Sequence, residues 1–337
     1  MDRKTYEKAL KGAINVMKPN VRKGEEVAII GSTDVDPDLY KILSEAAYTC
    51  EVAEVSIGLM SPRKGPGLPP PRPLQELMKA ADVVFCAAST SLGFSPCYTE
   101  CLRAGHKAHS FPVPSGMKKA ADVLVPLGIY DAEKLQELKN LTLQTKEILT
   151  RGKNVRITTP KGTHLTVSID GKAGVAYYGI ADQDAVNNGA WPPSEAHIAA
   201  VEGTAEGVVV ADGFVSGIGR VTQPLKLVFK KGRVVGIEGG PESERIERMK
   251  DNNRNGDKFS EVGIGTNRYL KISGNNGDKK IWGTAHIAIG NSASSAFGGA
   301  NFDGTIDCDI HIDFHIQPPV LVEIDGRAVV QDGKLLV

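Results

Sequence analysis

The stretch Ile306-Asp307-Cys308-Asp309-Ile310-His311-Ile312-Asp313-Phe314-His315-Ile316 combines metal-ligand chemistry with a strict period of two. Ile306, Cys308, Ile310, Ile312, Phe314 and Ile316 share one parity; Asp307, Asp309, His311, Asp313 and His315 share the other. Successive strand side chains point to opposite faces, so this pattern predicts a β-strand with one wholly apolar face. Asp is disfavoured in strands, and its repetition calls for another reason. A row of carboxylates and imidazoles suits a divalent cation. The alternative is the polar outer face of an edge strand. Same-face neighbours are about 6.6 Å apart, so one ion cannot take the whole row. His311 and Asp313 could both reach one ion, or each could serve one of two adjacent ions.

Three earlier segments carry the same donor types. Glu195 lies in PSEAHIAA, where a loop enters a predicted strand, and His197 follows it on the same face as a candidate to support the ligands. Glu261 leads the Gly-rich SEVGIG, whose glycines allow a close approach to the backbone. His286 is the lone titratable group of GTAHIAIG, a setting that also suits a satisfied core histidine. Together, Glu195, Glu261, His286, His311 and Asp313 have the composition of a co-catalytic site for two Zn, Mn or Co ions. Two such ions about 3.5–4 Å apart polarise a carbonyl and generate hydroxide at neutral pH. Asp307, Asp309 and His315 then support the ligands or face solvent.

Other candidates fall away. Gly31-Ser32-Thr33-Asp34 occupies a strand-to-helix turn but lacks both the G-x-G-x-x-G pattern and a phosphate-binding lysine. Cys97 and Cys101 share a helix face without a second pair, which predicts buried thiols. His106, His109 and His164 are assigned no chemistry.

The elements that must hold these residues follow from the patterning. Up to about residue 150, short apolar runs alternate with helical periodicity, and Asp36-Pro37 marks a helix start. This predicts an α/β N-terminal domain over 1–150 with a mostly parallel sheet. Over 151–337 strands dominate, joined by Lys231-Gly232, Asp325-Gly326 and Asp332-Gly333 turns, which predicts a β-rich α+β domain carrying the metal. Forty basic residues balance forty acidic ones, and aromatic content is only 6%. Neither suggests nucleic acid. No run nears the roughly 18 apolar residues of a membrane span. Five scattered cysteines make no disulfide framework. The expectation is a cytoplasmic protein acting on a peptide or small molecule, without nucleic-acid or membrane partners.

The segments PSEAHIAA, SEVGIG, GTAHIAIG and HIDF, in that order, resemble the metal-binding segments of the aminopeptidase T family of metallo-aminopeptidases. HIAIG and HIDF are the most specific, and the resemblance covers roughly residues 180–337. It implies an N-terminal α/β domain, two divalent ions, a homodimer or higher homo-oligomer, and hydrolysis at peptide N-termini. By that resemblance Glu195, Glu261, His286, His311 and Asp313 would be ligands, with Glu195 or Glu261 also serving as general base. Those peptidases carry a tyrosine shortly after the first His; here the segment from Asn291 to Gly299 has none, and Ser292, Ser294 or Ser295 would substitute. The same look is shared by the 2,5-dihydroxypyridine dioxygenases, which use one iron(II), and His286, His311 and Asp313 would make their 2-His-1-carboxylate site. A binding protein that kept the fold without catalysis is the third possibility.

Overall fold

The computed structural model describes residues 1–64, 67–93, 95–111, 113, 119–293 and 303–337. These group into two compact units built from interleaved segments, 1–139 with 177–193 and 140–176 with 194–293 and 303–337.

The first unit is α/β. Its five strands run parallel in the order Glu54–Met60, Glu26–Ser32, Val83–Ala87, Lys107–Ser110, Asn188–Ala190. The central runs VAIIGS and VVFCA are buried throughout, as a sheet covered on both faces requires. Helices Arg3–Met17, Pro37–Tyr48, Arg72–Ala80 and Pro96–Arg103 alternate with the strands. Asp36 caps Pro37–Tyr48 by accepting from the Asp38 amide, with Pro at the helix start, as the sequence predicts. Cys97 and Cys101 are buried side by side with Met78, and burial raises both thiols above their ordinary pKa.

The second unit is a β-sandwich. One sheet has eight strands, in the order Arg233–Glu238, Leu225–Lys230, Glu206–Ala211, His164–Ser168, Asn154–Thr158, Leu321–Ile324, Arg327–Gln331, Lys334–Leu335. The other has seven: Gly219–Arg220, Phe214–Val215, His311–Ile316, Ala285–Gly290, Phe259–Gly265, Glu195–Ala199, Gly174–Tyr177. Their facing residues form one apolar core, in which Val155, Ile157, Leu165, Leu227 and Val322 meet Ile198, Val262, Ile264, Ile287, Ile312 and Phe314. The three predicted turns are tight: Lys231-Gly232, Asp325-Gly326 and Asp332-Gly333 all have positive φ at both residues, the signature of a type I′ hairpin turn.

The predicted long strand is shorter than its sequence pattern. Only His311–Ile316 joins the sheet; residues 306–310 make no ladder. The alternation persists in the loop, where Ile306 and Cys308 are buried and Asp307 and Asp309 exposed. The edge-strand alternative also fails. His311–Ile316 lies inside the sheet, between Phe214–Val215 and Ala285–Gly290.

Candidate metal centre

Four neighbouring strands build the site by register. Across the sheet, His197 pairs with Gly263, Gly263 with His286, and His286 with His315. One pleat along, Ala199 pairs with Glu261, Glu261 with Ala288, and Ala288 with Asp313. Glu195 stands opposite Gly265, and His311 opposite Gly290. Directly paired residues share a face. Every polar candidate therefore projects to one side, while Ala196, Ile198, Val262, Ile264, Ile287, Ile312 and Phe314 project into the sandwich core. The intervening Gly and Ala positions leave room above the sheet. Gly263 is the tightest: a Cβ there would lie 2.0 Å from His286 Cε1. The close approach that the Gly-rich SEVGIG foretold is made by an imidazole.

The donors converge. Single ligand atoms of Glu261, His286 and Asp313 lie within 4.8 Å of one another, and all three residues are buried. His286 Nε2 is 3.2 Å from Glu261 Oε1. His311 Nε2 is 3.1 Å from Asp313 Oδ1 and 3.8 Å from Glu261 Oε2. His311 Nδ1 lies 2.8 Å from the Asn291 carbonyl oxygen, and the tautomer that donates there turns the Nε2 lone pair toward Asp313 and Glu261. Buried carboxylates and imidazole nitrogens aimed at one place, with a backbone carbonyl orienting one ring, fit a divalent cation.

Two lysines that the sequence did not single out enter the same cluster. The short 3-10 turn Asn276–Lys280 carries them, with the Asn275 side chain capping the Gly277 amide. Lys279 Nζ is 3.3 Å from Glu195 Oε2 and 3.1 Å from Asp313 Oδ2, and Lys280 Nζ is 3.5 Å from Glu195 Oε1. Ser216 donates to Asp313 Oδ2 at 3.0 Å. Burial alone would raise the carboxylates, but Lys279 and Lys280 hold Glu195, and Lys279 and His311 hold Asp313, below the ordinary carboxylate range. For Lys279, burial is outweighed by Asp313, Glu195 and Glu261, which keep the ammonium above its usual value. Lys280 goes the other way, because burial and the neighbouring Lys279 ammonium outweigh its pairing with Glu195. In a loop reading GDKKIWG, nothing distinguishes these lysines from a solvated turn.

The remaining predicted residues take varied places. His197 is buried beside Glu261 and Glu195, and desolvation lowers its pKa against their pull. His315 is buried with its ring 6.3 Å from that of His286, and burial, reinforced by His286, lowers its pKa to about 3. Ser292 is buried, and its hydroxyl accepts from the Ile306 amide at 3.2 Å. Ser294 and Ser295 lie outside the described residues. His164 is exposed, as its alternation predicts.

Comparison with known proteins gives four findings. The family described as NicX, 2,5-dihydroxypyridine 5,6-dioxygenase, matches residues 14–337. Among solved structures, a 2,5-dihydroxypyridine dioxygenase from Pseudomonas putida KT2440 superposes with a TM-score of 0.78 at 18% identity, covering 98% of both chains. Wild-type AmpT from Thermus thermophilus superposes at 0.69 and 16% identity, covering 98% of this chain and 100% of its own. No curated protein matches the sequence. The two structural likenesses establish the shared fold.

Proposed function

Because the chain belongs to the 2,5-dihydroxypyridine 5,6-dioxygenase family, we propose that it is a ring-cleaving dioxygenase that uses one iron(II) and acts on a dihydroxylated nitrogen heteroaromatic. The family match overturns the expected metallo-aminopeptidase and with it the hydrolase and protease reading. Both chemistries draw on carboxylates and imidazoles, so the order Glu195, Glu261, His286, His311, Asp313 did not separate them.

The observation that carries the proposal is the convergence of His286 Nε2, His311 Nε2, Asp313 Oδ1 and Glu261 around one place. The two imidazoles and Asp313 are the 2-His-1-carboxylate set that suits non-haem iron(II), with Glu261 beside it. Bound there, iron(II) would supply the redox chemistry by which dioxygen reacts with an electron-rich ring. The chain's own residues do the rest. Asn291 fixes the His311 tautomer through its carbonyl. His197, kept neutral by burial, stands beside Glu261 and Glu195 as a candidate base for a ring hydroxyl. Glu195, held ionised by Lys279 and Lys280, accepts hydrogen bonds rather than protons at neutral pH. Burial of the cluster keeps bulk water from the reacting ring.

The test is anaerobic loading with iron(II), then dioxygen uptake and loss of ring absorbance with 2,5-dihydroxypyridine. Equimolar consumption of dioxygen and ring is expected. Absence of uptake from iron-loaded protein, with peptide hydrolysis by the zinc-loaded form, would overturn the proposal.

A further inference from the structure

The five ligand-type residues are more than one ion requires, and the arrangement of their oxygens accounts for the surplus. Glu195 faces ammonium groups on both sides, with Oε2 at 3.3 Å from Lys279 Nζ but in no hydrogen bond among the described residues, and Oε1 at 3.5 Å from Lys280 Nζ. Asp313 is divided. Its Oδ1 lies 3.1 Å from His311 Nε2, which is itself 3.8 Å from Glu261 Oε2, while its Oδ2 takes Lys279 Nζ at 3.1 Å and the Ser216 hydroxyl at 3.0 Å. A carboxylate that offers one oxygen to each of two cation places is the bridging element of a two-ion centre. Here one of those places is filled by nitrogen.

We propose that the Lys279 ammonium stands in the position of a second metal ion, so that the centre accepts a single ion. The proposal rests on the metal-centre reading above and goes further by assigning the cause of its one-ion stoichiometry. Two observations and the chemistry of an ammonium support it. Lys279 Nζ is shared by Glu195 and Asp313, the pair of carboxylates that would flank a second ion beside His286, whose Nε2 is 3.7 Å from Glu195 Oε2. The side chain is 13% exposed and its turn is tethered: the Lys279 carbonyl accepts from the Thr284 hydroxyl at 3.0 Å, and Asp278 accepts from the Ser273 and Gly274 amides at 2.9 and 2.7 Å. An ammonium is a compact, fixed positive charge with no acceptor, so it neutralises the carboxylates without offering an open coordination position. A metal–oxygen distance of about 2.0–2.2 Å to the same oxygens leaves no space for Nζ between them.

The experiment measures Mn(II) bound by metal-stripped protein, using calorimetric titration and metal analysis after gel filtration, with paramagnetic resonance to separate isolated from exchange-coupled ions. Wild type is expected to bind one equivalent with an isolated-ion spectrum. Lys279→Met is expected to bind two, with a coupled spectrum. Lys279→Gln, which keeps a hydrogen-bonding end but no charge, should do the same and guards against failure of the Met variant to fold. Two equivalents in wild type, or one in wild type and in both variants, would overturn the role of Lys279 while leaving the metal centre standing. No binding by folded wild type would instead remove the metal centre itself.

Discussion

At Gly263 the candidate metal-binding face is tightly constrained, because an added Cβ would lie 2.0 Å from His286 Cε1 and 2.2 Å from Nε2. Gly263→Ala is therefore expected to displace the imidazole. Overpacking of this kind costs about 1–3 kcal/mol, and the misplaced ligand should weaken metal binding by about 10–100-fold. Chemical denaturation and Mn(II) titration check the two effects; unchanged affinity would mean that His286 does not ligate. His311→Ala removes a ring already oriented by the Asn291 carbonyl. It should abolish dioxygen uptake with a nearly unchanged melting temperature, whereas full activity would remove this strand from the reaction. At this scale the ligand types were readable, because Asp and His in a strand have little structural purpose. Lys279 and Lys280 were not. Lysine in a polar turn is ordinary, and only the fold carries these two against Glu195 and Asp313.

The elements follow their local patterns closely where pairing and pattern agree. Asp325-Gly326 joins Leu321–Ile324 to Arg327–Gln331 with φ of 50° and 79°, and the Asp325 carboxylate accepts from the Lys153 and Asn154 amides. Gly326 has open space around its missing Cβ, so Gly326→Ala isolates the conformational cost of positive φ. The expected loss is about 1–2 kcal/mol of stability with dioxygen uptake unaltered; a neutral denaturation midpoint would argue that the turn relaxes. The strand of Asp and His residues illustrates the converse. Its alternation runs from Ile306, but the ladder begins only at His311. Alternating burial needs a surface to lie on, not a hydrogen-bonded partner, so period-two patterning overstates strand length. Likewise Asn188–Ala190 joins the parallel sheet of the first unit through a pairing with Lys107–Ser110 that no local pattern announces.

Across the molecule, each unit has its own buried titratable groups. In the first, His109 stacks on Phe85 with ring centroids 4.3 Å apart, and neither ring nitrogen has a hydrogen-bond partner among the described residues. Burial, with Lys107 nearby, lowers its pKa to about 3 from 6.5. The unfolded chain therefore binds the proton first as pH falls. The stability this neutral imidazole contributes is complete above about pH 6.5 and is lost toward pH 3, at up to about 1.4 kcal/mol per pH unit. His109→Phe, which keeps a ring on Phe85, should flatten the stability profile between those values; an identical acid slope in denaturation experiments would exclude His109 as its source. In both units no described helix is long and apolar enough to cross a membrane. The amino-acid order by itself determined the fold class and the apolar and polar faces of the second-unit strands, and it singled out Glu195, Glu261, His286, His311 and Asp313 as candidates, because periodicity and donor chemistry are local properties. It did not determine the chemistry, since hydrolytic and oxidative centres draw on the same donor types. Only the tertiary structure decided which oxygens face the imidazoles and which face Lys279 and Lys280, because sheet register and a distant turn set those distances.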